Sequence, residues 1–152
     1  MATVQFVIFS LENEEFGVAI DQLKEIMKPP KIVSIPNTPA YIDGIINLRD
    51  EVYPIFNLRK KFGFPEKPSN DDTKIIIVTV GNTRVGFVVD EVSEILRLEQ
   101  NAIEKAPKLV SGVNRRYISG VGKVAERMII ILDLELILND EEKEQIKNVE
   151  KA

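Results

Sequence analysis

Residues 6–11, Phe-Val-Ile-Phe-Ser-Leu, fall on residues 75–80, Ile-Ile-Ile-Val-Thr-Val, when the sequence is shifted by 69 positions. The match continues without a gap through identical pairs that include Asn13 with Asn82, Gly17 with Gly86, Asp21 with Asp90, and Glu25 with Glu94. A shift of 76 positions aligns residues 42–45 with 118–121 and residues 55–58 with 131–134. The two shifts differ by seven, so the second copy carries seven extra residues between its blocks. Two ordered, gap-free blocks predict an internal duplication.

Each copy has the pattern of a small β-rich unit, in which β-branched apolar runs alternate with polar turns. The predicted strands are residues 4–11, 16–20, 44–48 and 51–57 in the first copy, and 74–80, 85–89, 120–124 and 127–133 in the second. One segment of each copy is ambiguous, because a short apolar run is compatible with a helical turn or a strand. For the segments beginning at Leu23 and Val92 we expect a brief helical turn that leads into a strand.

About five short strands per copy favour closure into a small barrel, which removes exposed strand edges. Neither copy alone buries much core, so we expect a mainly β protein of two packed five-stranded barrels with short helices. Residues 58–62 and the tail from Asn139 onward are the predicted helices, and Asp140 is a candidate cap for the second. We treat residues 1–152 as one domain. By the repeat, its subdomains are about 1–65 and 72–138; if strands are exchanged, they are about 15–85 and the remainder, 1–14 with 86–152.

Three local features carry structural expectations. Asp21 and Asp90 occupy equivalent places, where each would cap the segment that follows. Gly44 and Gly120 are equivalent glycines, which suggests backbone geometry that excludes a side chain. Pro54 interrupts a strand-like run and suggests a strand edge or a bulge.

The composition argues against an enzyme. Cysteine and histidine are absent, so nucleophile–histidine pairs and zinc sites of the usual ligand sets are excluded. Adjacent carboxylates such as Glu14 and Glu15 point apart on a strand and are expected to be solvated rather than catalytic, although a carboxylate-based hydrolase stays open as an alternative. We expect no catalytic residues, no metal site and no cofactor. No apolar run is long enough to span a membrane, and no secretory leader is recognisable, so the default expectation is a cytoplasmic protein.

A small β-barrel that binds nucleic acid is the second alternative. The net charge of −4, from 20 Lys and Arg against 24 Asp and Glu, disfavours it, because phosphate backbones require concentrated positive charge. We interpret the basic runs Arg59-Lys60-Lys61 and Arg115-Arg116 as solvated faces.

The stretch from residue 42 to residue 59, with Asn47-Leu48-Arg49 at its centre, resembles the N-L-R-G signature region of the CheW family of chemotaxis coupling proteins. The resemblance extends from Val4 to about Asp140 and is specific as a set of motifs: residues 15–18, 25–26, 37–42, 44–59, 85–92 and 127–133. Asp50 replaces the glycine that usually follows the arginine. Aspartate tolerates left-handed backbone geometry, so we expect the turn to survive.

The resemblance implies two SH3-like barrels that share a core, and a scaffold that joins two partners. These are the cytoplasmic tip of a chemoreceptor (a methyl-accepting chemotaxis protein) and the regulatory domain of the histidine kinase CheA. The protein itself would not insert into the membrane but would be recruited to receptor arrays there. Because a receptor tip is a helical hairpin, an apolar groove between the barrels would suit it.

The residue-level expectations combine the repeat with the resemblance. The candidate receptor-binding residues are Ile20, Leu23, Glu25, Arg49, Val89, Val92 and Ile95. The apolar members have plain core packing as their alternative role, and the planar fork of Arg49 suits a carboxylate or carbonyl. The candidate kinase-binding residues are Gly44, Asn47 and Leu48, at one end of the first barrel.

Overall fold

The computed structural model describes residues 2–36, 40–106, 109–110, 113–139, 142–144 and 146. The strands are β1 Thr3–Leu11, β2 Glu14–Ala19, β3 Leu23–Met27, β4 Ile42–Leu48, β5 Glu51–Phe56, β6 Lys74–Val80, β7 Thr83–Val89, β8 Glu91–Glu99, β9 Ile103–Glu104, β10 Leu109–Val110, β11 Val113–Asn114, β12 Ile118–Val124 and β13 Arg127–Leu132. The helices are α1 Leu58–Phe62 and α2 Leu134–Ile137, with 3₁₀ turns at Ile20–Gln22, Gln100–Ala102 and Arg115–Tyr117. Over these residues, no helix is long and apolar enough to cross a membrane.

The strands form two large sheets whose pairing repeats the internal duplication. The first sheet has the order β8-β1-β2-β13-β12-β9 and the second β3-β6-β7-β5-β4. Ile8 lies opposite Gly17 in the β1–β2 hairpin, and Ile77 lies opposite Gly86 in β6–β7. The β4–β5 and β12–β13 hairpins likewise share one register and one bulge position. The two halves therefore have the same hairpin geometry.

Each sheet contains strands from both copies of the repeat. The β1–β2 hairpin of the first copy pairs through β2 with β13 of the second, in parallel. The β6–β7 hairpin of the second copy pairs through β7 with β5 of the first, also in parallel. From this membership we propose an exchanged division of subdomains with boundaries moved from the expected ones: β1 and β2, up to Ala19, group with the C-terminal half, and β7, up to Val89, stays with the second sheet.

Three apolar clusters hold the sheets together. Phe6, Ile8 and Ile131 belong to the interior of the first sheet, and Ile55, Ile75 and Ile77 to the interior of the second. A third cluster contains residues of both sheets and forms a shared core: its members include Val7, Phe9, Phe16, Phe56, Ile76, Val78 and Phe87. Alternate residues of β1 and β6 enter different clusters, so both faces of these strands are buried. Burial on both faces explains why the sequences of β1 and β6 are almost continuously apolar.

The second sheet curls so that its two outermost strands approach each other at one end. β3 and β4 are the outermost strands in its order, yet Glu25 on β3 forms an ion pair with Arg49 at the turn after β4. This contact across the ends of the sheet fits the expected small barrel. The mainly β, two-barrel arrangement with a shared core and few short helices is as predicted. The first sheet differs from the expected five strands by a sixth, the two-residue strand β9.

Some local expectations need correction. The segment at Val92 contains no helical turn, because β8 pairs with β1 along its whole length; at Leu23 the turn precedes the strand. Pro54 lies neither on an outermost strand nor at a bulge. Pro54 lies opposite Ile45 in the β4–β5 pair. The N–H and C=O of Ile45 both bond to Val33 on the other side of β4, so Ile45 and Pro54 form a pair without hydrogen bonds. The nitrogen of Pro54 therefore faces away from β4, and the missing N–H costs this pair nothing. Of the predicted tail helix, residues 142–144 and 146 are helical, and Asp140 lies outside the described residues.

Candidate functional site

Four apolar residues, two on β3 and two on β8, face the shared core at the junction between the two barrels. Leu23 lies opposite Val78 and Ile26 opposite Ile76, while Val92 lies opposite Phe9 and Ile95 opposite Val7. Residues that face each other across neighbouring strands share one side of the sheet. All four partners belong to the shared core, so all four strip residues point toward the junction. We call Leu23, Ile26, Val92 and Ile95 the junction strip.

The strip is open to solvent at its outer positions. Ile95 is 53% exposed and Ile26 is 36% exposed, whereas Leu23 and Val92 are half-buried against the shared core. Ile26 was not among the predicted site residues. The repeat could have identified it, because the shift of 69 positions places Ile26 on Ile95.

Two predicted groove residues have different surroundings. Ile20 is half-buried in its 3₁₀ turn and lines a shallow cavity of about 260 Å³ together with Gln5 and Arg97. Val89 is fully buried in the shared core, so it does not line an open groove; the core-packing alternative describes it. The predicted equivalence of Ile20 and Val89 is broken because Val89 ends β7 whereas Ile20 begins a turn.

A polar cluster occupies the end of the second sheet beside this strip. Arg49 donates to Glu25, and Glu51 accepts from Arg84 at 3.0 Å and from the hydroxyl of Tyr53 at 2.5 Å. The hydrogen bond from Tyr53 and the positive charge of Arg84 lower the pKa of Glu51. The cluster brings the predicted residues Glu25 and Arg49 together, although they are 24 positions apart.

Arg49 is presented on a tight turn. Arg49 and Asp50 have φ values of +51° and +66°, and they connect Leu48 directly to Glu51. Two residues at positive φ are typical of a type I′ hairpin turn. The turn is therefore kept with aspartate at position 50, and it leaves the Arg49 side chain 70% exposed.

The candidate kinase-binding residues lie along β4, the last strand of its sheet. Asn47 is exposed, and Leu48 is half-buried against the interior of the second sheet. Gly44 is buried beneath Val33, where an added Cβ would lie 2.3 Å from the Val33 carbonyl oxygen. Gly44 therefore allows the preceding segment to bridge to β4, and Asn47 is the exposed member of the three.

Helix α1 carries the basic run, and two of its three cations are buried, whereas Lys60 is 41% exposed. The Arg59 side chain is 9% exposed and donates to Glu12, to both carboxylate oxygens of Asp90 and to the Pro65 carbonyl. Lys61 is 8% exposed and paired with Glu142. The expectation of a solvated face was therefore wrong for Arg59 and Lys61, which are surrounded by partners distant in sequence. Paired, buried cations are not available to a phosphate backbone.

Asp90 has a different role from the predicted cap. Its carboxylate also accepts from the backbone N–H of Glu12 at 3.0 Å. Burial raises the pKa of Asp90, but the hydrogen bonds from Arg59 and Glu12 and the nearby positive charges outweigh it, so its pKa is lowered. Asp21 lies exposed within the 3₁₀ turn, whose N-cap is Ala19. The described residues contain no group of three or more His, Cys, Asp or Glu placed to hold a metal ion.

Comparisons with known proteins agree with this architecture. The CheW-like domain family matches residues 5–142. The chemotaxis protein CheW of Klebsiella aerogenes is 38% identical over 97% of this chain and 89% of its own length. That of Helicobacter pylori is 36% identical over 89% of this chain and 81% of its own. The crystal structure of the scaffolding protein TtCheW from Thermoanaerobacter tengcongensis superposes with a TM-score of 0.83, at 34% identity, over 94% of this chain and 92% of that one. The chain therefore belongs to the CheW-like domain family.

Proposed function

We propose that this protein is a chemotaxis adaptor that couples the cytoplasmic tips of chemoreceptors to the regulatory domain of the histidine kinase CheA. It acts as a non-catalytic scaffold in the cytoplasm and is recruited to membrane-bound receptor arrays without entering the bilayer. Membership of the CheW-like family and likeness to a scaffolding protein support this role. The observation that carries it is the junction strip, a set of apolar residues that is partly open to solvent.

The receptor tip would bind at the junction strip. A helix that docks on a protein inserts apolar residues from one face into an apolar surface. Leu23 and Val92 form the floor of this surface, and Ile26 and Ile95 form its exposed part. Arg49 lies on the same barrel as Leu23, and Glu25 orients its guanidinium. A planar donor fork held in this way suits a carboxylate or a helix C-terminal carbonyl.

The kinase would bind at the outer edge of β4. Beyond the bridge between Val33 and Ile45, this strand has no neighbour in the described sheet on its outer side. An outermost strand offers backbone donors and acceptors to a partner. Asn47 supplies an exposed amide there, Leu48 adds partly exposed apolar surface, and Gly44 keeps the flanking segment in place.

The first experiment is a pair of binding titrations on the full chain, one with an isolated CheA regulatory domain and one with a receptor-tip fragment. Saturable binding of both, with neither displacing the other, is the expected result. Failure of a folded sample to bind either partner would contradict the adaptor role.

Single substitutions separate the two surfaces. Ile95→Glu places a charge on the junction strip and should weaken receptor binding at least about tenfold, because burying an unpaired charge is costly. Met128→Glu is the matched control: Met128 is also an exposed apolar strand residue, at 42%, but lies outside the strip. Equal losses for both variants would exclude the strip as the receptor surface.

Arg49→Ala tests the assignment of the arginine. We expect weaker receptor binding and unchanged CheA binding. The reverse pattern, intact receptor binding with lost CheA binding, would move Arg49 to the kinase surface. Asn47→Ala provides the complementary test, with CheA binding expected to fall.

A further inference from the structure

Lys61 is a buried cation that the proposed partner surfaces do not use. Its Nζ lies 4.9 Å from the ring centroid of Tyr41 and 5.4 Å from that of Tyr117. It also contacts both carboxylate oxygens of Glu142, at 2.9 and 3.0 Å. An ammonium that approaches aromatic rings within about 6 Å is attracted by their electron-rich faces. The two rings therefore flank the ion pair of Lys61 and Glu142, and we call Tyr41 and Tyr117 the tyrosine cage.

The two rings are equivalent members of the repeat. Tyr41 and Tyr117 are 76 positions apart. The backbone N–H of Asn57, the N-cap of α1, donates to the Tyr41 carbonyl, and that of Asp133, the N-cap of α2, donates to the Tyr117 carbonyl. The residue equivalent to Lys61 is Ile137, which is fully buried. The cage thus joins both copies, but only the first copy supplies its cation.

The carboxylate comes from outside the duplication. Glu142 belongs to the C-terminal segment, by which we mean Asn139, residues 142–144 and Ile146. Asn139 and Glu142 exchange backbone–side-chain hydrogen bonds in a capping box, which sets the start of the helical residues. One turn later, Ile146 is fully buried in the shared core. One face of this segment therefore presents a carboxylate and an aliphatic side chain, four positions apart, to the two barrels.

We propose that Lys61 is the anchor of a C-terminal latch. The ion pair inside the tyrosine cage captures Glu142, positions Ile146 in the shared core and thereby ties the segment to both copies. A buried ammonium requires a partner, because an uncompensated charge is strongly destabilising. The burial of Lys61 and the packing of the C-terminal segment thus depend on each other.

The test uses the full chain with Glu142→Gln. Glutamine can keep the capping box, so the substitution removes the charge and little else. Amide hydrogen exchange of Lys143 and Ile146, followed by NMR, should accelerate on the order of 10- to 100-fold, because one partner of a buried pair is lost. Exchange in β1 and β6 should change much less.

Glu135→Gln is the matched control. Glu135 pairs with Lys143 of the same segment, but its side chain is 53% exposed. An exposed pair contributes little, so exchange should change by no more than about threefold. Equal acceleration in both variants would overturn the latch.

Lys61→Met supplies the second test. It replaces the ammonium with an apolar side chain of similar length, so the need for a carboxylate disappears. In that background Glu142→Gln should have little further effect on exchange. Should Glu142→Gln prevent folding, the double variant should restore it. An undiminished effect in the Lys61→Met background, or a double variant that stays unfolded, would refute the proposal.

Discussion

Replacing Asp90 with Asn should strongly destabilise the protein, because this carboxylate joins α1 to both sheets. It accepts from Arg59 Nη2 with both oxygens, at 2.6 and 2.7 Å, and from the N–H of Glu12. Breaking a buried ion pair costs about 3–5 kcal/mol. The lower end applies here, since Arg59 keeps Glu12 and the Pro65 carbonyl, and asparagine keeps one acceptor oxygen. We expect a loss of about 3 kcal/mol.

Urea unfolding at pH 7, with the Asp21→Asn variant as control, measures this loss. Asp21 is the repeat equivalent of Asp90 and is exposed, so its substitution should change the free energy of unfolding by no more than about 0.5 kcal/mol. Similar losses in the two variants would refute the reasoning.

The pH dependence provides an independent check. Because the pKa of Asp90 is lower in the folded protein than in the unfolded chain, its contribution is complete above the unfolded pKa and disappears as pH falls through the folded one. The difference in stability between the wild type and Asp90→Asn should therefore be full at neutral pH and shrink below about pH 5. A difference that stays constant down to the acid-unfolding range would contradict the role of the charge.

Two further substitutions test the backbone. Gly44→Ala places a Cβ 2.3 Å from the Val33 carbonyl and should cost about 2–3 kcal/mol in thermal or urea unfolding. Gly63→Ala is its control: there an added Cβ meets no atom within 4 Å, so only the left-handed φ of +80° opposes it, at about 1 kcal/mol. At position 50, Asp50→Gly should leave stability within about 0.5 kcal/mol of the wild type, whereas Asp50→Val should lose about 1–2 kcal/mol because a β-branched residue is strained at positive φ. Equal stability of the valine and glycine variants would show that the turn does not constrain this residue.

The hairpins were predictable because their determinants are local. A period-two or continuously apolar run, a two-residue turn and a second run specify β1–β2 and β6–β7 without distant information. The helix α1 was predicted for the same reason. The repeat added the equivalence of the two halves, which the strand registers confirm.

The candidate site was predictable only in part. Leu23, Val92 and Ile95 point toward the junction, and Glu25 meets Arg49. Val89 was misplaced because side chains alternate between the two faces of β7, and that of Val89 points into the shared core. A repeat alignment does not distinguish the end of a strand from the start of a turn. Roles in partner binding remain predictions for all of these residues.

The sequence by itself determined the short-range structure of the hairpins, the presence of two copies of one unit, and the exclusion of histidine and cysteine chemistry. Only the tertiary structure decided how the hairpins are distributed between the sheets, because each parallel contact rests on two residue pairs that no local pattern marks. The tertiary structure also decided that Arg59 and Lys61 are buried. Their burial depends on Glu12, Asp90 and Glu142, which lie 47, 31 and 81 positions away. A charge is buried only where folding brings its counter-charge to it, and that meeting is a property of the whole chain.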